Sequence, residues 1–169
     1  DDCSLMVIPI TCDCKKKIAG LLGAGKKTVV MQIPQEKHAD GDGEVFRREI
    51  YRFIPRLEEV TGREITAKTL AEAINRIGYA QYEMSRFLKL RRNIPPLLSG
   101  AQAMAAMNAY AYMPVDVWAD AMRGLNGELE KRLEGKKFVA KGNRPRILLT
   151  GSPVAFPNMK LPLLIEEMG

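Results

Sequence analysis

Leu5-Met-Val-Ile-Pro-Ile-Thr-Cys-Asp13, resumed at Thr28-Val-Val-Met-Gln-Ile33, is the stretch whose reading decides the fold. Each run is short and apolar and ends at residues that break a strand, the pattern of a strand buried on both faces. Between them, Asp13 to about Leu22 predicts a helix, with Asp13 as its N-cap and Gly23 or Gly25 ending it. Pro34 stops the second run. Strand, helix and strand within about 30 residues make a βαβ unit, so the two strands should run parallel.

Downstream the period changes from two to that of a helix. Phe46, Ile50, Phe53, Ile54 and Leu57 recur at helical spacing, Pro55 predicts a kink among them, and Gly62 lies just past the end. Thr66 should cap a second long helix with a buried stripe of Leu70, Ile74, Ile77, Met84 and Leu88. The Pro95-Pro96 pair ends it. Ser99-Gly-Ala-Gln102 has the form of a capping box opening a helix of small residues. Pro114 suits a first helical turn, followed by the stripe Val115, Trp118, Met122, Leu125, Leu129 and Leu133, with Gly135 closing the helix. After Gly142 the pattern returns to α/β: Arg146–Thr150 reads as a buried strand and Asn158 as the cap of a last helix. The expected fold class is therefore α/β but mostly helical by content. Residues 1–43 would end a first α/β domain, 44–142 form a helical segment, and 143–169 supply the first strand and helix of a second. One strand and one helix cannot cover a parallel sheet, so the chain is read as an internal piece of a longer protein. Phe156, Met159, Leu161, Leu164 and Ile165 should then leave apolar area that self-association or the rest of that protein would cover.

Composition narrows the function classes. Of 169 residues, 46% are apolar and 27% charged, the balance of a chain that buries a real core. No apolar run approaches the roughly 18–20 residues of a membrane span. Three cysteines are not a disulfide framework, and with nine methionines they fit a reducing, cytoplasmic setting. The net charge is +6, but its basic residues sit in scattered pairs and triplets (Lys15–Lys17, Lys26-Lys27, Arg47-Arg48, Arg91-Arg92, Lys136-Lys137), and only 7% of the chain is aromatic. That pattern speaks against nucleic acid and for a solvated, mildly basic surface, with a phosphate-bearing small molecule as the other use of the charge.

Chemical motifs are few. Gly20 to Lys27 imitates a phosphate loop, but Lys27 stands where Ser or Thr is required and the stretch follows a helix instead of opening one. His38, the one histidine, lies in a polar loop where most histidines are solvated. Cys12 is better placed, at the C-terminal end of a strand and the start of a helix, where α/β sheets carry ligands and a thiolate is stabilised. Cys14 makes this a C-x-C pair, too little alone for a zinc or iron site. Cys3 lies roughly 25–30 Å back along an extended strand. On spacing alone, unliganded thiols and a ligand awaiting partners both stand.

Val7-Ile-Pro-Ile-Thr-Cys-Asp13, continuing Cys14-Lys-Lys-Lys17, resembles the cluster-ligand segment of the 2-hydroxyacyl-CoA dehydratase family. That family includes the 2-hydroxyglutaryl-CoA dehydratase D-component, benzoyl-CoA reductase subunits and double-cubane cluster proteins. Gln32-Ile-Pro-Gln35, Leu57-Glu-Glu-Val-Thr-Gly62 with Ile65-Thr66, Pro95-Pro96 with Ser99-Gly100, Leu148-Leu-Thr-Gly-Ser-Pro153, and Lys160 with Leu164-Ile-Glu166 and Gly169 fit in order. The resemblance covers essentially the whole chain. It implies two Rossmann-like domains joined by a helical segment, with an iron–sulfur cluster (4Fe-4S or double cubane) held in part by Cys12. It also implies one-electron reductive dehydration of a 2-hydroxyacyl-CoA through a ketyl radical, a second subunit or a second copy as partner, and an ATP-dependent activator protein. Family clusters use further cysteines upstream and downstream. Cys3 is too close to Cys12 to be the upstream one and no cysteine follows Cys14, so a complete cluster is not expected on this chain alone. A benzoyl-CoA-reductase-like or double-cubane subunit and a cluster-free interaction module of the same fold are the alternatives.

Overall fold

A computed structural model of the chain describes residues 3–22, 28–34, 42–142, 144–152, 154–155 and 157–168. It is mostly helical, and it divides between Thr69 and Leu70 into two compact units.

Unit 1 holds the expected βαβ element. Strand β1 (Met6–Ile10) and strand β2 (Thr28–Gln32) pair in parallel, with Met6 opposite Thr28, Ile8 opposite Val30 and Ile10 opposite Gln32. Helix α1 (Asp13–Leu22) lies between them in sequence and packs on β1 through buried Ala19. Asp13 is not the cap. It is the first helical residue, and the carbonyl of Cys12 already accepts the N–H of Lys16 at 3.1 Å, which puts Cys12 in the capping position. Asp13 instead adds negative charge to the first turn, where the helix dipole favours it. Helix α2 (Asp42–Thr61) packs on β2, runs through Pro55 without ending there, and stops at Gly62. Gly62 has φ +64°, a left-handed conformation that glycine adopts without strain. The expected stripe is only partly covered: Phe53, Ile54 and Leu57 are half-buried, whereas Phe46 and Ile50 are exposed.

Unit 2 contains the dense core. Helix α3 (Ala67–Leu90) starts from Thr66, whose hydroxyl accepts the N–H of Thr69 at 3.2 Å. Helix α4 (Gly100–Asn108) is followed by a 3₁₀ turn (Ala109–Ala111), helix α5 (Val115–Glu134) and helix α6 (Lys160–Glu167). The capping box on α4 is complete: Ser99 Oγ accepts from Gln102 N and Gln102 Oε1 accepts from Ser99 N, each at 3.1 Å. Pro114 forms the cap of α5. Trp118, Met122 and Leu129 from α5 meet Ala80 and Phe87 from α3, Leu97 and Leu98 from the connection, and Ala103 from α4. The Trp118 indole N–H donates to the Ala106 carbonyl at 2.9 Å, and its ring takes the edge of Tyr110 with centroids 5.1 Å apart. The one polar group of the buried indole is thus satisfied inside the core.

Three expectations fail here. The buried face of α3 is Ala80, Glu83 and Phe87; Leu70, Ile74, Ile77 and Leu88 are exposed. Apolar spacing misses this face because a carboxylate occupies it. Glu83 is 2% exposed and is held by Arg86 at 2.9 Å and by Asn126 Nδ2 at 2.8 Å, while Arg86 reaches on to Glu130 at 2.6 Å. A buried charge is tolerated when paired and hydrogen-bonded in this way. The second failure is Arg146–Thr150, which is not a strand. A strand exists through its ladder, and among the described residues this segment has no pairing partner; Leu148 is 86% exposed. Nor does Asn158 cap α6, which begins after Met159 with no side-chain cap. Of the five apolar side chains expected to be uncovered, Leu161 and Leu164 are exposed, Met159 and Ile165 are half-buried, and Phe156 lies outside the described residues.

Candidate functional site

The sheet places Cys12. Because β1 and β2 are parallel and end in register, one edge carries Thr11-Cys12 after β1 and Ile33-Pro34 after β2. Cys12 is exposed at that edge, at the N-terminus of α1, and Cys14 is exposed two residues on, in the first turn. Cys3 lies at the other end of β1 and donates its thiol to the Leu5 carbonyl at 3.1 Å. Elements of unit 1 brace the edge. Glu49 from α2 accepts the N–H of Gln32 at 3.0 Å and also pairs with Arg52 at 3.0 Å. Arg52 in turn donates to the Val30 carbonyl at 3.0 Å. The end of β2 is therefore pinned to α2 by a charge-assisted pair. The thiol of Cys12 is thus accessible at the start of α1, two residues before Cys14 and close in sequence to Lys15–Lys17.

The donor set fits one corner of a metal cluster and no more. Among the described residues, no group of three or more His, Cys, Asp or Glu side chains comes together as a metal site. His38 and residues 23–27 of the loop-like Gly20–Lys27 stretch lie outside the described residues; Gly20 itself is within α1.

Unit 2 carries a second concave region that periodicity does not reveal. A cleft of about 460 Å³ opens where the end of α3, the N-terminus of α4, the 139–147 segment and α6 converge. Among the described residues, Arg91, Lys141, Arg144 and Arg146 line it, against a single carboxylate, Glu166. Glu166 Oε1 accepts the Gly100 N–H at 2.7 Å. Burial and the neighbouring Arg146 together hold the Arg91 pKa below its ordinary value. The signal in sequence was the Arg91-Arg92 doublet just ahead of Ser99-Gly100. What it could not give was the return of Arg146 and Glu166 from far along the chain.

With the fold and these sites in place, comparison with known proteins defines the class. The family model described as 2-hydroxyglutaryl-CoA dehydratase, D-component, matches residues 1–169, and the chain belongs to that family. YjiM of Escherichia coli (strain K12), provisionally named a dehydratase subunit, is 28% identical over 167 residues, covering 98% of this chain and 43% of YjiM. The beta subunit of (R)-2-hydroxyglutaryl-CoA dehydratase from Acidaminococcus fermentans is 24% identical over 155 residues, covering 85% of this chain and 41% of that subunit. The chain thus spans about two fifths of the length of each of these relatives. No helix among the described residues is long and apolar enough to cross a membrane.

Proposed function

We propose that the full-length protein is a subunit of an iron–sulfur 2-hydroxyacyl-CoA dehydratase and that Cys12 is one thiolate ligand of its cluster. The observation that carries the reading is the exposed Cys12 at the carboxyl edge of a parallel βαβ element, in a chain the family matches from end to end. When bound, such a cluster passes one electron to the thioester, which makes loss of the 2-hydroxyl as water feasible. The strand edge leaves the thiol of Cys12 accessible, and the Glu49–Arg52 clamp fixes the end of β2 beside it. Asp13 stays in its structural place in the first turn. In this reading residues 1–43 end a first α/β domain, 44–142 form the helical segment and 143–169 open a second.

The partners in this proposal are a second subunit or second copy, an ATP-dependent activator and the acyl-CoA, in a cytoplasmic, reducing setting. Exposed Ile147, Leu148, Leu161, Leu163 and Leu164 support an association face at the C-terminal end. The test is an anaerobic assay of the full-length protein with its partner subunit and activator, scored for ATP-dependent water loss from a 2-hydroxyacyl-CoA. Turnover that disappears without activator is the expected result. Ring reduction of an aromatic CoA thioester in its place would move the assignment to the benzoyl-CoA reductase branch. Wild-type protein free of iron and sulfide would leave a cluster-free interaction module of the same fold.

A further inference from the structure

We propose that the cleft of unit 2 binds a phosphate-bearing ligand, with Arg91, Lys141 and Arg146 as its cationic partners and Glu166 as a resident carboxylate that the ligand displaces. The site is independent of Cys12. Its volume, about 460 Å³, lies in the range of small-molecule sites. Four cations line it against one carboxylate, and among the described residues neither Arg91 nor Arg146 forms an ion pair. Arg91 is half-buried; its guanidinium finds a weak thioether acceptor, Met107 Sδ at 3.8 Å. Arg146 reaches the Arg92 carbonyl at 3.4 Å, a long contact. Arg91, partly withdrawn from water, is repelled by the exposed Arg146 in the same cleft, a cost to the fold that a bound oxyanion would return.

Glu166 indicates what the cleft accepts. Its carboxylate sits at 2.7 Å on the N–H of Gly100, the first residue of α4, and not on either arginine. Glycine at 100 makes room for it, since a Cβ there would come within 2.8 Å of Glu166 Oε1. An oxyanion is therefore already bound at one end of the cleft, while among the described residues Arg91 and Arg146 have none. A phosphate or pyrophosphate has the charge and the number of acceptor oxygens to meet several guanidiniums and an ammonium together, which a lone carboxylate does not. It would compete with Glu166 for the helix N-terminus.

Pyrophosphate, inorganic phosphate and coenzyme A, titrated calorimetrically into the full-length protein and its Cys12→Ser, Arg146→Gln, Arg91→Gln and Glu166→Gln variants, test the proposal. Pyrophosphate should bind the wild-type and Cys12→Ser proteins alike, and more weakly as salt rises. Arg146→Gln should weaken it about tenfold, the scale of one lost charge-assisted hydrogen bond. Glu166→Gln should tighten it several-fold. Arg146 is on the surface, so its variant remains informative if Arg91→Gln does not fold. Coenzyme A binding tighter than pyrophosphate would identify a nucleotide-type tail as the occupant; equal or weaker binding would identify the free oxyanion. Absence of pyrophosphate binding in both wild type and Glu166→Gln, or affinity unchanged in Arg146→Gln, would overturn the proposal and leave the dehydratase reading untouched.

Discussion

Phe87, Leu97, Ala103, Ala119 and Leu129 in unit 2 are fully buried, whereas the described residues of unit 1 bury only Ile8 and Ala19, and those incompletely. The sequences of the two units are not correspondingly different in apolar content at the elements concerned. β1 and β2 are almost wholly apolar, yet most of their side chains are half-buried or exposed. The contrast lies in architecture. Helices of unit 2 close on one another around Trp118 and Phe87, while a parallel pair of strands needs layers on both faces before its side chains leave water. Unit 1 therefore leaves Cys12 exposed at an open strand edge, and unit 2 holds a dense core beside a charged cleft.

The largest effect expected from this contrast is in the core substitutions. Leu129→Ala should cost about 2–5 kcal/mol and Ile8→Ala less than Leu129→Ala, measured by urea unfolding. Equal costs would mean the units are equally well packed. The polar network comes next. Asn126→Ala removes the two donors that Asn126 gives to Glu83, one to its carboxylate at 2.8 Å and one to its carbonyl at 2.9 Å. About 1–3 kcal/mol should be lost, since the buried Glu83 then keeps Arg86 but loses both amide hydrogen bonds. Asn126→Leu sharpens the point, because a well-packed apolar side chain that cost nothing would show the network to be dispensable. Asn126 Oδ1 is itself buried without a partner, so part of that free energy is already forgone in the wild type. Ser99→Ala should cost about 1 kcal/mol through the capping box of α4.

The smallest effect is that of the exposed pair Arg76–Asp116. The Arg76 guanidinium, hydrogen-bonded to Asp116, lowers the carboxyl pKa below its ordinary value. A lowered folded-state pKa stabilises above the unfolded value of about 3.9, and that contribution disappears as pH falls through the folded value. Asp116→Asn should therefore flatten a shallow part of the acid limb of the stability curve and leave neutral pH almost unchanged, because the pair is solvent-screened. A large loss at pH 7 would contradict its surface character.

Much of this was readable from residues, and the rest was not for identifiable reasons. The βαβ element followed from two apolar runs flanking Asp13–Leu22, and the capping box from Ser99 and Gln102, because both signals are local. The stripe on α5 was right at Trp118, Met122 and Leu129, where period and burial coincide. Glu83 was hidden because its partner Asn126 is 43 residues away and polar residues are not counted toward a core. Arg146–Thr150 has the alphabet of a strand, but alphabet does not provide the neighbouring strand. The position of Cys12 was legible as a strand end before a helix; the cleft was not, since its cations and Glu166 converge from three separate stretches of chain.

The most direct measurement is the iron content of the full-length protein, purified anaerobically as wild type, Cys12→Ser and Cys14→Ser, with circular dichroism confirming that each variant is folded. Both thiols are exposed at the same helix N-terminus, so the comparison separates the residue at the strand end from its neighbour. If Cys12 is a ligand of the cluster, Cys12→Ser loses most of its iron and sulfide and its visible absorption, while Cys14→Ser keeps the wild-type stoichiometry. A folded Cys12→Ser protein that retains its full iron complement would contradict the account.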